Sequence, residues 1–217
     1  TSRTALPPRD TWEQLSKTGS RQGFQVEVLQ RLEARGVTIR AAAVDVTNEA
    51  AMQSLLAGLT NDGWPPIRGV FHAAGQADAQ PFGAIRTERL AEVMGPKMTG
   101  GWVLHELLQR ERLDFFVCCS SGAAILPSAM MGVYAAASSF PAALAHYRRA
   151  AGLPALTVNW GFWEQTANVS PAVEEIGPGI IPVGMRSFTA AQGLAALKQL
   201  LEQDAVNSAV MPVDLKE

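Results

Sequence analysis

Leu113-Asp114-Phe115-Phe116-Val117-Cys118-Cys119-Ser120-Ser121 is an apolar run that stops on two hydroxyls, and its reading decides the fold. It predicts a strand over Leu113 to Cys119, and the segment from about Gly132 to Ala150 that follows has the spacing of a helix. Working outward, the same alternation recurs. Ile67-Arg68-Gly69-Val70-Phe71-His72 and Ala155-Leu156-Thr157-Val158-Asn159-Trp160 read as strands. Thr87 to Met94 and Lys97 to Gln109 read as helices parted by Pro96, and Glu49 to Leu59 as another. Alternating strands and helices predict an α/β fold, a parallel sheet with helices on both faces.

The flanks carry weaker signals. Thr1-Ser2-Arg3 reads as the frayed end of a strand, and Thr4 to Ser20, with Pro7-Pro8, as a loop. Phe24, Val28 and Leu32 mark a helix that ends at Gly36. Val37 to Val46 is a short β-type run. Thr189 and Gln192 have capping-box spacing and open a last helix, with Leu194, Leu197 and Leu201 expected inward. Ala209-Val210-Met211 is the final strand expected. Glu164 to Gly179 reads as a lid over a cleft. No internal repeat or interdomain linker is evident, so residues 1–217 are read as one domain.

Composition narrows the classes. The 217 residues are 47% hydrophobic, enough for one sizeable core. Net charge is −2 with pI near 5.9 and no dense basic cluster, which argues against a nucleic-acid partner. The apolar runs stop short of membrane-spanning length. Cys118 and Cys119, the two cysteines, are neighbours on a strand and point to opposite faces, so they read as buried thiols in a reducing compartment, by default the cytoplasm. His105 and His146 lie on helix patterns without ligand partners, and His72 reads as structural, so no metal site is expected. Ser120-Ser121-Gly122 is not a nucleophile elbow. Trp160 and Trp163, flanking Gly161, read as core packing ahead of the alternative, walls of a substrate cleft, and Met130 and Met131 as substrate-facing or gap-filling.

Three side chains carry the chemistry. Lys97 follows Gly95-Pro96, Ser121 ends the opening run, and Tyr134 begins Tyr134-Ala135-Ala136-Ala137. A free phenol titrates at about 10 and donates poorly at neutral pH. A neighbouring ammonium favours phenolate and makes the phenol a usable general acid. A strand-end hydroxyl can hold the carbonyl that receives the proton. The trio points to hydride transfer from a nicotinamide. In open α/β sheets ligands sit at the carboxyl ends of strands. Ser2 and Arg3, Asp45 and Val46, and Ala73-Ala74-Gly75 occupy such ends and are candidate cofactor contacts, with Lys97 and Tyr134. Asp45 has an equal reading as a loop cap, and Ala73-Ala74-Gly75 as a tight turn.

The strings His72-Ala73-Ala74-Gly75, Pro96-Lys97-Met98-Thr99-Gly100, Leu113-Asp114-Phe115-Phe116-Val117, Ser120-Ser121, Tyr134-Ala135-Ala136-Ala137, Gly152-Leu153-Pro154-Ala155 and Asn159-Trp160-Gly161 occur in this order. Together they resemble the ketoreductase domain of modular type I polyketide synthases, a branch of the short-chain dehydrogenase/reductases. The resemblance runs from Arg3 to about Asp214. Ser121 precedes Tyr134 by 13 residues and Lys97 precedes it by 37, the spacings of that family.

The resemblance implies a Rossmann-like doubly wound parallel sheet. It also implies reduction, with NADPH, of a β-ketoacyl thioester borne on the phosphopantetheine of an acyl carrier protein. Tyr134 would be the acid, Ser121 the orienting hydroxyl, Lys97 the ribose ligand, and Arg3 the partner of the 2′-phosphate. Other domains of the same synthase would be its neighbours. Ser138 stands where the family usually has Asn, which leaves open a non-reducing structural or docking domain as the alternative. Ala77-Asp78-Ala79 and Leu126 stand at the family's stereochemical marker positions and match neither pattern in full. No glycine-rich phosphate turn precedes Thr1, so the sheet is expected to be incomplete at its N-terminal side, with the missing strand and helix upstream or supplied by another copy.

Overall fold

The computed structural model describes residues 1–126, 129–164 and 184–214. A four-stranded sheet organises it. Its strands are β1 (Gly69–His72), β2 (Phe115–Ser121), β3 (Leu156–Trp160) and β6 (Asn207–Val210), side by side in that order and all parallel. A smaller parallel pair joins β4 (Phe162–Trp163) to β5 (Ser187–Phe188), a pairing with no sequence expectation behind it. The helices are α1 (Trp12–Leu15), α2 (Arg21–Glu33), α3 (Glu49–Asn61), α4 (Thr87–Met94), α5 (Thr99–Leu108), α6 (Gly132–Ala150) and α7 (Ala190–Glu202).

Strand periodicity builds a core on each face of the sheet. Phe116 and Cys118 of β2 point to one side, where they meet Val70, Val103, Leu104 and Leu108, with Leu144 of α6 and Met52 of α3. Val117 points to the other, against Leu156, Val158, Trp160 and Phe188, with Leu197 and Leu200 of α7. This two-sided burial explains the nearly unbroken apolar run, because a strand covered on both faces needs no polar side. The two thiols diverge accordingly, and both are free. Burial pushes Cys118 up to about 12, so it packs as an inert thiol. Trp160, Trp163 and Phe188 stack with centroids 4.7–6.0 Å apart, which places both tryptophans in packing.

Several expectations need correction. Val37 to Val46 does not form a strand; only Ala43 bridges Ser2, through Ser2 N–H to Ala42 O (3.1 Å) and Val44 N–H to Ser2 O (2.8 Å). A β-type run becomes a strand only with a ladder to join, and here one bridge is the whole ladder. The expected loop Thr4 to Ser20 holds a short 3-10 turn and α1. Trp12 is buried there, its indole N–H donating to Pro7 O at 2.9 Å.

In α2 the fully buried residue is Val26, while Phe24 and Leu32 stay partly exposed. Gly23 fixes that rotation, because a methyl there would lie 2.2 Å from Leu15 O. The Thr189–Gln192 capping box is present, but Leu194 and Leu201 face outward and Leu197 packs inward with Leu200. The lid expected over Glu164 to Gly179 lies, beyond Glu164, outside the described residues. No described helix is long and apolar enough to cross a membrane.

Candidate active site

The sheet gathers the reactive side chains at the carboxyl ends of β1 and β2. His72 ends β1, and its buried ring donates Nε2–H to Pro96 O at 2.9 Å, immediately before Lys97. Because the carbonyl can only accept, the bond fixes that tautomer. Burial lowers the His72 pKa to about 4 against the favourable pull of this bond, and the Lys97 charge lowers it further. The expectation of a structural histidine holds, and its task is to seat the Pro96-Lys97 turn.

Lys97 is only 4% exposed. Its Nζ donates to Cys119 O at 3.0 Å and stands 5.6 Å from the centre of the Tyr134 ring. Burial brings its pKa down to about 8. Gly75 lies against this lysine: a methyl there would sit 3.1 Å from Lys97 Cε. Ser121, two residues beyond Cys119, caps the 3-10 turn Gly122–Ala124, its Oγ accepting Ala123 N–H at 3.2 Å. That bond fixes the oxygen and leaves the hydroxyl proton available to donate.

Tyr134 and Ser138 lie one turn apart on α6 and therefore on one side of it. Ser120 Oγ donates to Ser138 O, stitching α6 to the end of β2. Thr157 Oγ1 donates to Pro141 O at 2.7 Å and repeats the stitch one strand over. Ser138 Oγ is fully buried and has no hydrogen-bond partner among the described residues. Neither Ser120 nor Thr157 was singled out from sequence; polar residues inside an apolar strand facing a helix were the available signal.

A second group adjoins the first. Val46 buries its side chain against Gly100 at the start of α5, so only its main chain can meet a ligand. Asp45 Oδ1 accepts Thr47 N–H (2.9 Å) and Oγ1–H (2.8 Å), which makes it the loop cap of the two readings. These bonds, and then the Arg3 charge, hold its carboxyl below the usual carboxylate range. The Ser2–Ala43 bridge brings exposed Arg3 to this corner. Ala73 and Gly75 are exposed and Ala74 is half-buried, an open ridge of small residues beside Lys97.

Met130, exposed, holds a left-handed backbone (φ 62°) four residues ahead of Tyr134, and Met131 is buried. Gln80 N–H donates to Met130 O at 2.9 Å, a tie invisible in sequence.

The KR domain family model matches residues 10–165. Over 213 residues, 98% of this chain, the sequence is 33% identical to a phenolphthiocerol/phthiocerol polyketide synthase subunit of Mycobacterium tuberculosis (strain ATCC 25618 / H37Rv). Over 211 residues, 97% of the chain, it is 32% identical to 6-methylsalicylic acid synthase of Aspergillus terreus (strain NIH 2624 / FGSC A1156). The chain spans 11% and 12% of the length of these two relatives. A solved structure described as an A1-type ketoreductase superposes with TM-score 0.77 at 36% identity, over 87% of this chain and 39% of that one.

Proposed function

This chain belongs to the KR domain family, and from that premise we propose that it reduces a β-ketoacyl thioester to the β-hydroxyacyl form with NADPH. The observation that carries the reading is the buried Lys97 ammonium, bonded to the strand that ends in Ser121 and poised over the Tyr134 ring. The residues fit a dinucleotide. Among the described residues, Lys97 Nζ meets a backbone carbonyl and no carboxylate, so ribose hydroxyls would supply the acceptors it lacks. Gly75 keeps the approach to it open. Arg3 would take the 2′-phosphate, and the main chain of Val46 and the ridge Ala73-Ala74-Gly75 would line the rest.

Held by Lys97, Arg3 and the ridge Ala73-Ala74-Gly75, NADPH would supply the two-electron hydride that the β-carbon takes up. Ser121 donates its hydroxyl proton in a hydrogen bond to the β-oxygen and holds it in place. Tyr134 transfers its phenolic proton to that oxygen as the C–O double bond becomes single. The Lys97 ammonium stabilises the phenolate left behind. The acyl group rides on the phosphopantetheine of an acyl carrier protein, with other synthase domains as neighbours.

The test is NADPH fluorescence loss with a short β-ketoacyl thioester, using the full-length protein. Tyr134→Phe should lower kcat about 10²- to 10⁴-fold. Equal rates would sink the role of Tyr134. Ser138 in place of the family's usual Asn is the observation behind the alternative, a structural or docking domain that does not reduce. That alternative predicts no turnover by the native protein at all.

A further inference from the structure

We propose that Ser120 is a positioning residue for the reaction, one that ties the strand end carrying Ser121 to the part of α6 carrying Tyr134. The inference rests on the reducing site described above. Ser121 and Tyr134 are the two donors that the proposed reaction brings to one oxygen, and they stand on different elements, β2 and α6. Ser120 spans that gap. Its buried hydroxyl donates to Ser138 O. Ser120 is the residue next to Ser121, and Ser138 lies one helical turn from Tyr134. The single bond between them therefore joins the two donors by a short covalent path on either side.

The helix needs such a tie because Pro141 lies inside it. Proline has no N–H, so Ala137 O loses the rung that residue 141 would supply. The first turns of α6, Tyr134 included, are thus joined to the rest by one bond fewer. A strand hydroxyl stands on each side of this break. Ser120 holds Ser138 O before it, and Thr157 Oγ1 of β3 holds Pro141 O at 2.7 Å, about two turns beyond Tyr134. Ser138, Pro141 and Thr157 are fully buried, so loss of either hydroxyl leaves a buried carbonyl one partner short. The two bonds share their chemistry and differ in place. Only the first adjoins the reacting groups.

The experiment compares Ser120→Ala with Thr157→Val in the full-length protein. Both remove a buried hydroxyl from an α6 carbonyl, and each should lower the melting temperature by about 2–4 °C. Ser120→Ala should also lower kcat with a β-ketoacyl thioester about 10- to 100-fold, leaving KM for the thioester and for NADPH within about twofold. Thr157→Val should keep kcat within about twofold of native. Ser120→Thr, which retains the hydroxyl, should recover part of the loss. In a Tyr134→Phe background, Ser120→Ala should lower the residual rate by less than about twofold, because its effect passes through Tyr134. Hydrogen exchange over residues 133–140 should quicken in Ser120→Ala and not in Thr157→Val. Equal losses of kcat in the two variants, full additivity with Tyr134→Phe, or unchanged exchange over 133–140 in Ser120→Ala would each overturn the proposal. If the native protein reduces no thioester, the functional reading fails, and exchange alone then decides whether Ser120 holds the first turns of α6. Should Ser120→Ala not fold, Ser120→Cys carries the same comparison.

Discussion

The strand that ends at Ser121 is paired on both edges and covered on both faces, whereas the segment that ends at Arg3 is tied to residues 42–44 by a single bridge. Around the first lie Phe116, Val117 and Val158, essentially without solvent contact. Beside the second, Phe24, Val28, Leu29 and Ile39 line an open cleft of about 590 Å³. Under the proposed function, the difference follows what each end would hold. Proton and hydride transfer need atoms placed within a few tenths of an ångström, and only close packing gives that. A phosphate needs positive charge nearby, and a guanidinium on a long side chain can supply it from a looser support.

The largest expected effect tests that contrast directly. Phe116→Ala should destabilise by about 3–5 kcal/mol, since it empties a packed site over which Arg148 also lies, 3.9 Å from the ring. Phe24→Ala, at the half-open cleft, should cost about 1 kcal/mol or less in the same denaturant titration. Equal losses would remove the distinction between the two regions.

Acid should act on the packed region first. The folded pKa of His72, about 4, lies below its unfolded value of 6.5. Above pH 6.5 the ring is neutral in both states and costs nothing. As pH falls from 6.5 to 4 the unfolded chain takes up the proton first, so about 3 kcal/mol of stability is lost across that window. His105 shifts the same way, through burial and then the charge of Arg148, whose Nη1 meets its Nδ1 at 3.0 Å. Melting temperature against pH, with and without His72→Gln, checks this; an unchanged slope in the variant would break it.

The smallest effect has the opposite sign. Lys97 carries a buried charge whose folded pKa is lowered, so the protonated lysine opposes folding at neutral pH and stability rises as pH climbs from about 8 toward the unfolded value. Lys97→Met should therefore abolish turnover yet raise stability by about 2 kcal/mol. A less stable variant would mean that the Cys119 carbonyl needs its partner more than the charge needs water.

How much of this was legible in the chain depends on the kind of signal. Thr87–Met94 was readable to the residue and Gly132–Ala150 closely, because periodicity and punctuation coincide there. The spacings among Lys97, Ser121 and Tyr134 pointed to a candidate site, and of that trio Lys97 Nζ lies 5.6 Å from the Tyr134 ring. Rotation of a helix is less visible. Leu194, Leu197 and Leu201 form an acceptable stripe, yet Leu197 and Leu200 pack inward, since contact with Phe188 and Trp163 at Gly193 decides the facing side. Main-chain ties leave no trace in residue type. Nothing in Gln80 or Met130 announces their hydrogen bond, and nothing in Val37 to Val46 says that its ladder is one bridge long.

The buried lysine has one more consequence, for reactivity. An amine with a pKa near 8 is about half unprotonated at pH 8, whereas an ordinary lysine is so to about one part in 250. Lys97 is thus a nucleophile with only 4% of its surface exposed. A small acylating reagent would find it before most of the surface amines, and a bulky one would pass it by.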